Sequence, residues 1–242
     1  MGQKCDNPLH CQKMMEVLER LSTNDGMLSV VKMGNMLALR NGDVGYSCIY
    51  TDASVYQPIY MPIQRLLLSF TQSNHIEDAL VLGGGCCTIP RYIIKKFNNT
   101  VVIDTVEYCE EIIFLTQKYF LINLPTNNLN IIKDDAFSFI EKTNKKYDFI
   151  YVDLFVGSVI PKQAHTHSFL KCLSEHTKRN CLVAFNIYKS SIDECRNLTL
   201  LGSTYFKLFA IMTDEEDENS RYVIFLNGNL NALSHLNIIE SK

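Results

Sequence analysis

The chain has 242 residues, 47% of them hydrophobic and 20% charged, which excludes an intrinsically disordered protein and leaves enough apolar side chains for a sizeable core. A formal net charge of −3, without a basic cluster interleaved with aromatics, argues against nucleic acid as a partner. Met1 to Leu21 lacks the apolar core of a secretory signal and no stretch approaches the ~18 uninterrupted apolar residues of a membrane span, so a cytoplasmic protein with no membrane partner is expected.

The segment from Pro8 to Leu21, with Met14, Met15, Val17, Leu18 and Leu21, has the spacing of a short amphipathic helix. Residues 28–39 and 44–50 read as strands around Arg40-Asn41-Gly42-Asp43, and Asn-Gly between such runs is a strong hairpin signal. A small β-rich unit is therefore expected over residues 1–55, ahead of a main domain over 56–242. Met61 to Phe70 reads as a helix, with Pro62 tolerated in its first turn.

From residue 79 strand-like and helical runs alternate. Strands are expected at 79–83, 100–106, 129–133, 147–153 and 180–187, and helices at 88–97, 109–120, 135–142, 162–177 and 189–200. Such alternation gives a mostly parallel sheet with helices on both faces, an α/β fold. The end differs, because Thr204 to Met212 and Arg221 to Asn227 are two β runs joined by an acidic loop, an antiparallel hairpin. The simplest reading of the loop's charge run is a solvated turn, the other a site for a basic partner.

Four strand ends carry chemistry. Gly83, Gly84 and Gly85 close the first strand, where missing Cβ atoms allow positive φ and close approach of a nucleotide-like ligand; a tight strand-to-helix turn is the plainer account. Glu107 ends the second strand, 22 positions after Gly85, a distance at which an acid accepts hydrogen bonds from both ribose hydroxyls; it also suits the first turn of a helix. Asp134, Asp135 and Ala136 follow the third strand, where one aspartate caps a helix and the other is spare for an adenine amino group, with room left by the alanine. Asp153 ends the fourth strand and faces the crevice, where a carboxylate orients or deprotonates a nucleophile.

The nine cysteines are odd in number and include no C-x-x-C pair, so neither a disulfide framework nor a zinc site is indicated. Cys86 and Cys87 stand where a helix N-terminus could lower a thiol pKa, or simply pack under the turn. His165 and His167 read either as two metal ligands without a third or as groups facing an acceptor pocket.

Together, Leu82-Gly83-Gly84-Gly85 with Pro90-Arg91, Val106-Glu107, Asp134-Asp135-Ala136 and Tyr147 to Asp153, after a β-hairpin, resemble the spermidine synthase-like (polyamine aminopropyltransferase) family. That family lies within the Rossmann-like class I S-adenosylmethionine-dependent methyltransferase fold. The resemblance runs from about Met36 to Tyr188 and also covers Pro161, Phe169-Leu170, Asn186 and the antiparallel ending. It implies a donor, S-adenosylmethionine or its decarboxylated form, held by Gly83 to Gly85, Glu107, Asp135 and Ala136, with no metal. Asp153 would be the catalytic aspartate, and the family's tyrosine before the glycine turn corresponds by spacing to Tyr60, whereas Tyr56-Gln57 matches its local sequence. The N-terminal unit of the family serves as a lid or a dimer surface, so a homodimer is one implication.

The pattern departs at two acids: Cys86 stands where aminopropyltransferases carry an aspartate after the glycines, and Val156 where they carry a second acid after the catalytic one. Losing two carboxylates that pair with amines makes ordinary diamine aminopropylation doubtful. The expectation is methyl transfer to a small or peptidic acceptor. The alternatives are aminopropyl or related alkyl transfer to an amine, and a non-catalytic nucleotide-binding partner protein.

Overall fold

The computed structural model describes residues 15–52, 54–57, 60–157, 159–214, 217, 219–228 and 238–241. β1 (Met15–Thr23), β2 (Gly26–Met33), β3 (Met36–Asn41) and β4 (Val44–Tyr50) form an antiparallel meander in that order. The helix expected over Pro8 to Leu21 is overturned from Met15 onward, and its earlier residues lie outside the described ones. Asp25-Gly26 makes the difference: Gly26 takes φ 129°, Thr23 Oγ1 donates to its carbonyl at 3.0 Å, and the returning strand sets Val17 opposite Val31 and Leu21 opposite Leu28. The strand expected over 28–39 is likewise two strands, because Gly34 takes φ 60° and turns the chain. The hairpin at 40–43 forms as expected.

An eight-stranded sheet follows, in the order β12 (Ile238–Ser241), β10 (Leu208–Thr213), β11 (Arg221–Leu226), β9 (Thr177–Asn186), β8 (Tyr147–Val152), β5 (Asp78–Leu82), β6 (Val102–Glu107) and β7 (Leu129–Lys133). β5 to β9 are mutually parallel, whereas β11 runs antiparallel between β9 and β10, the Rossmann-like methyltransferase arrangement. Alternate side chains of the central strands feed two cores. Ala79, Val81, Phe149 and Tyr151 pack under α1 (Met61–Phe70) and α2 (Thr88–Lys96). Leu80, Leu82, Ile150 and Val152 pack instead with Ile140 of α4 (Ala136–Lys142), Leu170 and Leu173 of α5 (His167–Glu175), and Leu198 of α6 (Ile192–Gly202). Each such buried large side chain contributes about 1.5–3 kcal/mol.

Two expected helices are shorter than their patterns. α3 (Glu110–Leu115) widens into a π-turn over Thr116–Phe120, where Thr116 Oγ1 donates to the Gly85 carbonyl at 3.0 Å. The run over 162–177 breaks into a 3₁₀ turn at Lys162–His165 and α5, because Thr166 caps the latter by accepting from the Phe169 N–H.

The N-terminal sheet is fastened beside the glycine turn. Arg91 of α2, 4% exposed, donates to the carbonyls of Tyr50 and Phe120 at 3.3 and 2.8 Å, and Ser47 and Thr88 share a hydroxyl hydrogen bond of 2.7 Å. Leu28, Leu39 and Ile49 pack there with Cys86, Leu115 and Phe120. Because β5 lies between β6 and β8, strand order reverses at β5, and the crevice outside its carboxyl end is where such folds bind ligands.

Candidate active site

A cavity of about 690 Å³ opens at that reversal, lined by the glycine turn, the ends of β6 to β9 and the N-terminal hairpins. The glycines are dictated first by their neighbours. A Cβ on Gly83, which has φ 87°, would meet the Asp153 carbonyl oxygen at 2.1 Å, and one on Gly84 would meet Thr105 Oγ1 at 2.6 Å. A Cβ on Gly85, which has φ 46°, would only touch Ser47 at 4.0 Å, an ordinary van der Waals contact. The turn's own N–H groups are already engaged: those of Gly83 and Gly84 donate to the Val106 carbonyl, and that of Gly85 donates to Glu107 Oε2, each at 3.0 Å.

Glu107, 7% exposed, accepts from Cys109 N–H with its other oxygen at 3.0 Å. Burial raises its pKa, against the lowering by these backbone donors. Backbone hydrogen bonds from Gly85, Cys109 and Tyr108 take up three of its roughly four lone-pair positions and leave about one for a ligand hydroxyl. After β7, Asp134 Oδ1 accepts from the Asp135 N–H at 2.8 Å, and Asp135 Oδ1 accepts from Ser138 N–H at 2.9 Å as the N-cap of α4. One aspartate therefore caps the helix, as expected for one of the two, and both line the cavity with the buried Ala136.

The other end gathers around Asp153. The backbone N–H of Asp153 donates to Leu82 at 2.8 Å, so β8 stays paired beside the glycine turn. Asn186, at the end of β9, donates its amide N–H to Asp153 Oδ1 at 2.8 Å, and the Tyr60 hydroxyl donates to the same carboxylate. Burial pushes the Asp153 pKa up to about 6, the two hydrogen bonds hold it down, and the Glu107 charge adds to the rise. Tyr60 has φ 60°, a left-handed conformation uncommon for a tyrosine, at the start of α1. Its ring meets that of Tyr151 edge-on at 6.0 Å, and Tyr222 of β11 completes the wall. Tyr56, by contrast, lies 37% exposed against Tyr92, away from the cavity.

Other candidates fall outside. Cys86 and Cys87 are fully buried and their thiols are pushed up, that of Cys87 to about 12, because burial outweighs any help from the helix end. They pack under the turn. Neither His165 nor His167 lines the cavity; His167 contacts Tyr205 and burial lowers the His165 pKa. Among the described residues no histidine joins a cluster of metal-ligating groups. The carboxylates of Glu77, Asp78 and Asp148, at the amino ends of β5 and β8, surround Lys178 Nζ at 3.5, 2.7 and 2.9 Å. Val156 is 60% exposed on the cavity rim, in a turn closed by mutual hydrogen bonds with Val159.

Sequence reasoning missed Tyr151 and Tyr222 as wall residues, and Asp25, whose carboxylate accepts from the Tyr108 hydroxyl at 3.2 Å across the cavity mouth. Tyr151 carried a signal, two residues before Asp153 and thus on the same face of β8. Asp25 carried none, since its place depends on how the two sheets meet. The cavity wall is strongly acidic, with Asp25, Glu107, Asp134, Asp135, Asp153 and Asp217 against Lys189.

The sheet order and the acids at successive strand ends define the Rossmann-like methyltransferase class of fold. The pattern of the spermine/spermidine synthase domain matches residues 63–191, a little over half of the chain, and the chain belongs to the spermine/spermidine synthase family. It is 26% identical over 156 residues to a polyamine aminopropyltransferase of Vibrio vulnificus, covering 63% of this chain and 51% of that protein. It is 29% identical over 152 residues to an N-terminal histidine N-methyltransferase of Emericella nidulans, covering 57% of this chain and 26% of that one. The chain thus spans about half the length of the first relative and about a quarter of the second. Among solved structures, a probable spermidine synthase from Corynebacterium glutamicum has a TM-score of 0.74 at 16% identity, over 88% of this chain and 80% of that one. Human methyltransferase-like protein 13 in complex with SAH has a TM-score of 0.57 at 15% identity, over 69% and 79%. No helix among the described residues is long and apolar enough to cross a membrane.

Proposed function

We propose that the chain is an S-adenosylmethionine-dependent transferase that moves a methyl group to a nucleophile on a small or peptidic acceptor. The observation that carries this is Asp153, a carboxylate of pKa about 6 held by Asn186 and Tyr60 against the glycine turn. The donor supplies an electrophilic carbon on a cationic sulfur that departs as a neutral thioether. Glu107 would hold a ribose hydroxyl, Asp134, Asp135 and Ala136 its adenine, and Gly85 with Ser47 the floor beneath its amino-acid portion. The acidic wall attracts a cation into the site.

Asp153 orients the nucleophile and accepts its proton as the new bond forms, and a base with a pKa near neutrality suits that task. Tyr60 fixes the carboxylate by donating to it, and Asn186 fixes its other side. Alignment of the nucleophile supplies much of the remaining acceleration. Methyl transfer is preferred over aminopropyl transfer because Cys86 is buried among apolar side chains and Val156 presents an apolar surface, so an aminopropyl ammonium lacks two carboxylate partners. One observation favours the second reading: Lys189 is the sole basic residue described on the wall, leaving a donor carboxylate a single cation.

Calorimetric titration with S-adenosylmethionine, its decarboxylated form and S-adenosylhomocysteine tests the proposal. Tighter binding of S-adenosylmethionine is expected. Preference for the decarboxylated donor would replace methyl by aminopropyl transfer, and no binding of any would remove the donor assignment.

A further inference from the structure

Four apolar side chains are left facing water at the mouth of the cavity: Val44 at the start of β4, Tyr108 after β6, Val156 after β8 and Tyr188 after β9. Each lines the cavity and is still 36% to 60% exposed, so they stand at its opening and not in its depth. They are four of the twelve large apolar side chains exposed among the described residues, and a fifth, Val159, is hydrogen-bonded to Val156 through the backbone. Single exposed apolar residues need no explanation, but four elements presenting them to one opening mark a binding surface. The exposed charges on the same wall, Asp25 and Asp135 against Lys189, are of both signs and largely offset one another.

We propose that the acceptor is a polypeptide that seats apolar side chains on this mouth and passes one nucleophilic group down to Asp153; this rests on the reading of the cavity as an S-adenosylmethionine-dependent methyl-transfer site. Volume supports it. Pockets of roughly 300–1,000 Å³ hold one drug-sized ligand. The donor is a ligand of that size, so a cavity of about 690 Å³ has space left only for the reacting end of an acceptor. The rest of the acceptor then lies outside, on the apolar opening. A free diamine is charged at both ends, and the rim offers it no carboxylate at Val156, where the family pattern has an acid. The cores of protein–protein contacts are depleted of charge and enriched in tyrosine, which is closer to what this opening presents. The transfer itself is unchanged: the carbon–sulfur bond breaks as the bond to the nucleophile forms, the sulfur keeps the electron pair and leaves as a neutral thioether, and Asp153 takes the nucleophile's proton.

The test uses synthetic peptides in which each nucleophilic side chain in turn, or a free terminus, is flanked either by leucine and phenylalanine or by serine and glutamine. They are incubated with the chain and methyl-labelled S-adenosylmethionine, beside free amino acids and a linear diamine. Apolar-flanked peptides are expected to be labelled at least about tenfold faster than their polar-flanked counterparts and than the free amines. The double variant Val156→Ser, Val159→Ser alters exposed side chains only, so it should keep its fold and its S-adenosylhomocysteine affinity within about twofold while that preference falls roughly tenfold. Equal labelling of the two peptide sets, faster labelling of a free amine, no labelled peptide, or a preference unchanged in the variant would overturn the inference. Failure of the wild-type chain to bind S-adenosylhomocysteine would instead remove the donor reading, and this inference with it.

Discussion

The two ends of the cavity are built differently. At the glycine end the acids are tied to nearby backbone N–H groups, Glu107 to Cys109, Asp134 to Asp135 and Asp135 to Ser138, and the one longer tie, Gly85 to Glu107, joins adjacent strand ends. At the Asp153 end the contacts join distant parts of the chain, with Tyr60 leading α1, Asn186 ending β9 and Tyr222 entering from the antiparallel β11. One end is a set of strand-to-helix turns that each bring their own side chain. The other exists only once the sheet has assembled, and the unmet Tyr151 hydroxyl is there.

Substitutions can break or sharpen that contrast. The largest effect is expected from Asp153→Asn, which should lower turnover about 10²–10⁴-fold while S-adenosylhomocysteine affinity stays within about twofold by calorimetry. Folding raises the Asp153 pKa from 3.8 to about 6, so the folded chain holds that proton more tightly and loses stability as pH climbs between these values. The deficit persists at neutral pH, and Asp153→Asn should recover on the order of 1–3 kcal/mol, read as a higher melting temperature. With the base required ionised, the logarithm of kcat/KM should rise with unit slope below about pH 6 and flatten above it. A flat profile from pH 5 to 8 would remove Asp153 as the base.

Glu107→Ala acts at the other end. It should weaken S-adenosylhomocysteine about 10–100-fold by the loss of hydrogen bonds to a charged group, and should also destabilise the fold because the Gly85 and Cys109 N–H groups lose their acceptor. Gly83→Ala should cost about 1–3 kcal/mol in urea unfolding, since its Cβ would collide with the Asp153 carbonyl, and it should disturb both ends at once. The smallest effect belongs to Cys86→Ala, expected to change donor affinity by less than about threefold, because the thiol is buried and does not line the cavity. A larger loss would mean that Cys86 reaches the ligand.

Much of the glycine end was legible in the chain because its logic is local. Alternating apolar runs gave the parallel strands, and the residue after each strand must lie at its carboxyl end, which is why Gly83, Glu107, Asp135 and Asp153 could be read before any contact was known. Periodicity misled where a turn overruled it. Met15 to Leu21 suits a helix by spacing, yet Asp25-Gly26 folds it back as a strand, and the runs at 109–120 and 162–177 carry no spacing signal for a π-turn or a cap at Thr166.

What the sequence determined by itself is the order of elements between Met61 and Leu226, the class of fold and the acids at the strand ends, since these follow from side-chain periodicity and turn chemistry within a few residues. Tertiary structure alone decided that Tyr60 rather than Tyr56 meets Asp153, that Cys86 is buried beside the N-terminal sheet, and that Tyr151 keeps an unmet hydroxyl. Each depends on which distant surfaces come together and exclude water. Burial, which raises the Asp153 pKa and isolates that hydroxyl, is a property of the assembled sheets and not of any segment of the chain.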